Sequence, residues 1–311
     1  MAMLRDRGGG NSSMMLRWRV AILYFSEGAP IGFLWWALPT LLRNEGMAVE
    51  RITGLTAAWA LKFLWAPLVD AWRGPRWGLR HWAAAAQIGM GVALVPLVFV
   101  DPATHFGLWF SLLLAHAVCA ATQDVAIDAL AVATVEVSER GRLHAAMQIG
   151  MLGGRRVFGG GAILLVGWGG WTVLLIALVG AVWVSLIVLW TQIEEPKIES
   201  VAGKPRSFYR TLSRVLFRRT TWVGLGFALT AGAGFEATGA LAGPLLVALG
   251  ASTQTTGWFF ALPVVAAMAM GGWFGGRWSD AGERKRRAAV ALILMSMAVV
   301  SSRPELRRLC R

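Results

Sequence analysis

Residues 107–133 read "GLWFSLLLAHAVCAATQDVAIDALAVA". At ~1.5 Å rise per residue a helix of this run is ~40 Å long, more than the ~30 Å hydrocarbon layer of a bilayer. Its two carboxylates, Asp124 and Asp128, stand four apart and therefore share a helix face. Charge at bilayer depth is costly, so such residues face a bundle interior, pair with one another, or line a path for substrate or protons. Whether the run is a membrane span, and what faces its acids, is decided by the rest of the chain.

The chain has 311 residues, 56% of them hydrophobic, with 17 tryptophans and 15% charged residues. An ordinary soluble domain carries about 25% charged residues. Apolar runs recur at 20–42, 52–70, 82–100, 107–133, 144–166, 171–190, 221–245 and 254–275, with a shorter run at 288–300. A soluble core does not produce such repeated runs of roughly 20 residues, and an all-α integral membrane protein is expected. Cys119 and Cys310 belong to no ligand-spaced cluster, so neither a disulfide framework nor a metal site is implied, and no cofactor is expected. Arg5, Arg7, Arg17 and Arg19 precede the first run, which is too long for a signal-peptide core and reads as a permanent span. Trp18, Trp72, Trp82 and Trp171 fall near the expected interfaces, as an aromatic belt requires.

The formal net charge of +13 would in a soluble protein suggest nucleic acid, but its placement excludes that partner. Arg73, Arg76 and Arg80 follow the second run; Arg140 and Arg142 the fourth; a cluster from Lys197 to Arg219 the sixth; Arg277 and 284–287 the eighth. The alternate loops hold only Arg43 and Arg51, beside Glu45 and Glu50. The positive-inside rule then sets the N-terminus and every second loop in the cytoplasm of an inner-membrane protein. The expected organisation is a tail at 1–19, a six-helix bundle at 20–190, a cytoplasmic linker at 191–220, a partial second bundle at 221–302 and a basic tail at 303–311.

A weak internal repeat supports this division. "WAPLVDAWRGPR" ends the second run and "GGRWSDAGERKRR" the eighth, matching Asp70 with Asp280, and "FSEGA" matches "GFEAT", pairing Glu27 with Glu236 at nearly the same offset. With "LKFLWAPLVDAW", "ATQDVAIDALAV", "SERG" and "GMLGGRRVFGGGAILL", these stretches resemble the major facilitator superfamily, most closely its branch of AmpG-type muropeptide permeases, acetyl-coenzyme A transporters and siderophore permeases. The resemblance implies two six-helix bundles rocking about a central site and import of a polar solute coupled to protons. A full member has twelve spans; this chain has a complete first half and about three helices of the second, and it reads as C-terminally truncated.

Depth along each span sorts the polar residues. Glu27, Lys62, Asp124 and one of Arg155 and Arg156 fall in one layer, roughly 12–17 Å from the cytoplasmic side, while Asp128 sits a turn nearer that side. Glu236, roughly 22 Å into its span, is isolated and suits a residue that takes up and releases a proton. The expected substrate and proton pathway is thus Glu27, Lys62, Asp124, Arg155, Arg156 and Glu236. The expected cytoplasmic gate is Asp70, Arg73, Asp128, Asp280 and Arg284, a charge lock that opens as the bundles rock. His116 reads as a hydrogen-bonded packing residue.

Three functions compete. The first is a monomeric secondary transporter that moves a small polar solute with protons. The second is a non-transporting remnant of such a permease. The third is a membrane enzyme using Asp124 and Asp128 as metal ligands, which would need a second acidic cluster that the chain does not offer. The enzyme reading is therefore set aside.

Overall fold

The structure, a computed structural model, describes residues 7–46, 55, 57–72, 74, 76–102, 104–134, 140–195, 214, 216–280, 286, 289–291, 293–294 and 297. At 7–13, 57, 60, 70–71, 140, 225, 227–238 and 275–280 it describes the backbone course alone. Arg73, Arg284 and most of the run at 288–300 lie outside the described residues.

Among the described residues the chain is helical, with a single isolated β-bridge between Gly74 and Trp77. Helix α1 (Arg7–Gly32) passes through a π-helical turn (Phe33–Ala37) into α2 (Leu38–Asn44), and Gly46, at φ 76°, closes that run. The helix thus begins before the apolar run does, inside the stretch read as an N-terminal tail. Four later runs are long and apolar enough to cross a membrane, as is Met14–Asn44: Leu79–Phe99, Phe106–Ala133, Gly141–Gln192 and Thr253–Phe274.

The run expected at 52–70 departs from a continuous span. Its described part is α3 (Ala57–Leu61), a 3-10 turn (Lys62–Leu64) and α4 (Ala66–Ala71). Pro67 lacks an N–H and stands in the first turn of α4, where that loss is tolerated. The Trp65 indole N–H donates to Thr122 Oγ1 at 3.1 Å, so the break docks on the neighbouring span.

Helix α5 (Leu79–Leu94) continues as a 3-10 segment (Val95–Phe99) and packs along α6 (Phe106–Ala133). Its N-terminus is capped from far along the chain. The Glu195 carboxylate accepts the backbone N–H of Leu79 at 2.8 Å and of Arg80 at 2.9 Å, satisfying donors that a helix start leaves unpaired. Helix α7 (Arg140–Arg155), a π turn (Arg156–Gly160) and α8 (Gly161–Gln192) follow; Gly170, at φ 71°, breaks α8 where the fifth and sixth expected runs divide. The second part holds α9 (Arg219–Ala248), α10 (Thr253–Phe259), a π turn (Phe260–Val264) and α11 (Val265–Asp280).

Two buried layers result. Val20, Leu79, Leu130, Leu143 and Leu189 pack together, so the start of α1, α5 and α7 meets the end of α6 and α8. Leu38, Leu97, Trp109, Phe158 and Leu174 fill the other layer, to which the second part adds Phe260. Alternating directions of successive helices follow from these two groupings. The opposite face of α8 is also apolar, with Ile176, Trp183, Val184 and Ile187 exposed, the pattern of a helix that meets lipid.

Helices α1 and α7 approach backbone to backbone. A Cβ added at Gly28 would strike the Met151 carbonyl, at Gly150 the Ala21 carbonyl, and at Gly154 the Phe25 carbonyl. Both helices carry glycines four apart, Gly28 with Gly32 and Gly150 with Gly154, and the small faces let dispersion contacts replace the hydrophobic effect that lipid does not supply.

Candidate functional site: a carboxylate cluster and an aromatic cavity

The antiparallel contact of α1 with α6 builds the site as two rungs. Tyr24 and Glu27, three apart, lie on one face of α1, and Asp128 and Asp124, four apart, lie on the facing side of α6. On the first rung the Tyr24 hydroxyl donates to the Asp128 carboxylate. On the second, Glu27 and Asp124 are 3% and 6% exposed. Carboxylate oxygens of Glu27, Asp124 and Asp128 all lie within 4.8 Å of one another. The depth argument set Asp128 a turn apart, but helix direction brings its carboxylate back to the same cluster.

Lys62 closes the cluster from a third element. Its ammonium pairs with Asp124 from the 3-10 turn Lys62–Leu64. In such a turn residues three apart line up, so Lys62 and Trp65 both reach α6, one at Asp124 and the other at Thr122. The three carboxyl groups are close enough to hold a cation, and the Lys62 ammonium supplies that positive charge.

A neutral network behind the acids was not legible as site structure. Ser26, next to Glu27, accepts the amide N–H groups of Gln87 at 3.2 Å and Gln123 at 3.0 Å, and Gln87 also donates to Ser185 at 3.1 Å. All four residues are buried. They tie α1, α5, α6 and α8 together around the cluster. The signal was two glutamines inside otherwise apolar runs, which in lipid favours interhelical hydrogen bonding. His116 is fully buried with Nδ1 3.1 Å from the Met90 carbonyl, which requires the proton on Nδ1 and fits its reading as a packing residue.

Arg155 lines a cavity of about 190 Å³. Arg156, the adjacent residue, is exposed. The cavity runs between the two parts of the chain: Ile31, Trp35 and Trp36 face Gly239, Ala242, Phe259 and Phe260. Trp36 and Phe260 stack across it with centroids 5.3 Å apart. The two parts also meet at Asn44, whose amide donates to Thr253 at 2.9 Å, and at Gly160, whose added Cβ would strike Gly257 and Ala261. Glu236, Asp70 and Asp280 lie on helical backbone whose side chains are outside the description.

Residues 20–302 match the family model described as Major Facilitator Superfamily. An anhydromuropeptide permease of Escherichia coli (strain K12) is 32% identical over 155 residues, covering 48% of this chain and 32% of that protein. A putative transporter AmpG 4 of Rickettsia conorii is 26% identical over 153 residues, covering 47% of this chain and 37% of that protein. The matched region is about a third of the length of these curated relatives. A solved bacterial homolog of the human lysosomal transporter Spinster, in an inward-facing and unoccupied conformation, superimposes with a TM-score of 0.60 at 17% identity, covering 87% of this chain and 62% of that one. At that identity the likeness shows the fold.

Proposed function

The chain belongs to the Major Facilitator Superfamily, and we propose that it acts as a secondary active permease importing a polar solute, such as a muropeptide, together with protons. The observation that carries this reading is the carboxylate cluster: Glu27, Asp124 and Asp128 meet inside the first bundle against the single ammonium of Lys62. Such a cluster can trade protons for a change in helix contacts. The similarity to the anhydromuropeptide permease of E. coli supports the substrate class.

In this reading the basic loops and the N-terminus face the cytoplasm from the inner membrane, by the positive-inside rule. The first bundle spans 20–190, the linker 191–220 and the second bundle 221–302, and the permease works as a monomer. Glu236 on α9 carries protons in the second bundle, and Arg155 and Arg156 stand on the substrate path. Asp70, Arg73, Asp280 and Arg284 form the cytoplasmic gate, to which Asp128 connects the carboxylate cluster.

Uptake of radiolabelled anhydromuropeptide into proteoliposomes tests the proposal. Accumulation should follow an imposed proton gradient and collapse with a protonophore. Glu27→Gln and Glu236→Gln should each abolish gradient-driven accumulation while leaving membrane insertion intact. Uptake indifferent to the gradient would remove protons from the mechanism, and no uptake of any muropeptide would remove the substrate class.

A further inference from the structure

The cavity at Arg155 sits where three unusual pieces of backbone converge. Phe33–Ala37, Arg156–Gly160 and Phe260–Val264 are each one π-helical turn inside a longer helix, and they come from three different spans. The three turns contact one another, the middle one touching both of the others. A π turn widens the helix and weakens its hydrogen-bond ladder, so it persists where the altered side-chain direction is used, often at functional sites. Here the altered directions bring Trp35 and Trp36 from the first turn and Phe260 from the third to the cavity, with Arg155 immediately before the second.

The lining has a definite chemistry. Among the described residues that line the cavity Arg155 is the one charged side chain, and the remainder are aromatic or aliphatic apart from Gly239. A guanidinium carries five N–H donors in a planar fork, enough to serve a ligand carboxylate as well as a protein partner. Trp36 is stacked on Phe260, and Phe259 meets Phe260 edge to face at 5.5 Å, so these rings pack into one continuous aromatic wall beside the cavity. Such a wall suits the apolar side of a sugar or other saturated ring. The volume, about 190 Å³, is below the ~300–1,000 Å³ of pockets that enclose a whole drug-sized ligand.

We propose that this cavity is a subsite for one ring-sized, carboxylate-bearing group, with the carboxylate on Arg155 and the ring against the wall formed by Trp35, Trp36 and Phe259. The assignment rests on the permease reading and narrows it to solutes whose ring keeps a free carboxylate, such as a muramyl sugar whose lactyl carboxyl carries no peptide; the rest of a larger solute extends away from the cavity. Because Trp36 and Arg155 come from the first part and Phe259 and Phe260 from the second, the bound ring links the two halves.

Calorimetry on the purified chain in nanodiscs tests the subsite without requiring transport. N-acetylmuramic acid serves as the probe and N-acetylglucosamine, the same amino sugar without the 3-O-lactyl group that carries the carboxylate, as the comparator. The acid should bind at least about tenfold more tightly. Arg155→Gln should erase that preference, Arg155→Lys should retain part of it, and Phe260→Leu should weaken both sugars together, with thermal melting confirming that each variant is folded. Equal binding of the two sugars, or a preference that survives Arg155→Gln, would overturn the subsite and leave the permease reading standing. Binding as expected in a chain that accumulates neither muropeptide nor muramic acid would keep the subsite and remove import of this substrate class.

Discussion

The ammonium of Lys62, presented by one 3-10 turn, pairs with the carboxylate of Asp124 in the middle of α6. The Lys62 side chain is 36% exposed and that of Asp124 8%, so the pair is buried on its acidic side and open on its basic side. In the 3-10 turn residues three apart eclipse, so Lys62 and Trp65 stand in line on α6, one at Asp124 and the other at Thr122.

Removing the ammonium leaves three carboxyl groups without this counter-charge. Breaking a fully buried pair costs ~3–5 kcal/mol, and partial exposure of the lysine reduces that. Lys62→Met should therefore lower stability by about 1–3 kcal/mol, and Asp124→Asn added to it should recover more than half of the loss. Thermal unfolding in detergent reads both. A double variant no more stable than Lys62→Met would show that the ion pair does not hold the turn.

Ser26 is the shared acceptor of two buried glutamine amides. Ser26→Ala strands one N–H on each, and an unsatisfied buried donor costs ~1–3 kcal/mol, so a loss of about 2–4 kcal/mol is expected. Ser111 is exposed and bonds only the carbonyl of Gly107 in its own helix; Ser111→Ala should stay within ~0.5 kcal/mol. Equal melting temperatures for the two variants would argue that the glutamines find other partners.

At Gly28 and Gly150 the contact of α1 with α7 has no room for a side chain. Gly28→Val and Gly150→Val each drive a Cβ into a facing backbone carbonyl and should cost about 3 kcal/mol or more, read as loss of the monodisperse peak in fluorescence-detected size exclusion. Gly224 and Gly271 have open space at the same test. Alanine at either should be neutral or stabilising by about 0.5–1 kcal/mol, because helical alanine loses less entropy. A valine at Gly150 that leaves the peak unchanged would mean the helices part more readily than their backbones suggest.

Asn44 and Thr253 join the two parts of the chain by a side-chain hydrogen bond of 2.9 Å. If transport requires these parts to separate, a reversible thiol crosslink between Asn44→Cys and Thr253→Cys should stop uptake, and reductant should restore it. Cys119 is half-buried in α6, so the single-cysteine variants serve as controls. Crosslinking without effect on uptake would place the moving contact elsewhere.

Much of the site was legible as residue types at stated depths. Acids and a lysine inside apolar runs stand out because lipid makes them expensive, and the depth argument put Glu27, Lys62 and Asp124 at one level. Tyr24, Ser26, Gln87 and Gln123 did not stand out, since neutral polar groups in a span are less costly and carry no sign from which to infer a partner. The break at Lys62–Leu64 was hidden for a related reason: Phe63, Leu64 and Trp65 are as apolar as the residues of a continuous span.

The sequence by itself determined the solvent, the helical class, the approximate spans and the alternation of basic loops. These are sums over local composition, and they hold whatever each helix packs against. Tertiary structure alone decided that Asp128 returns to the cluster through Tyr24, that Arg155 lines the aromatic cavity, and that three π turns meet there. Each depends on rotation about a helix axis, which changes by ~100° per residue. Composition leaves that angle open, and only packing against neighbouring helices fixes it.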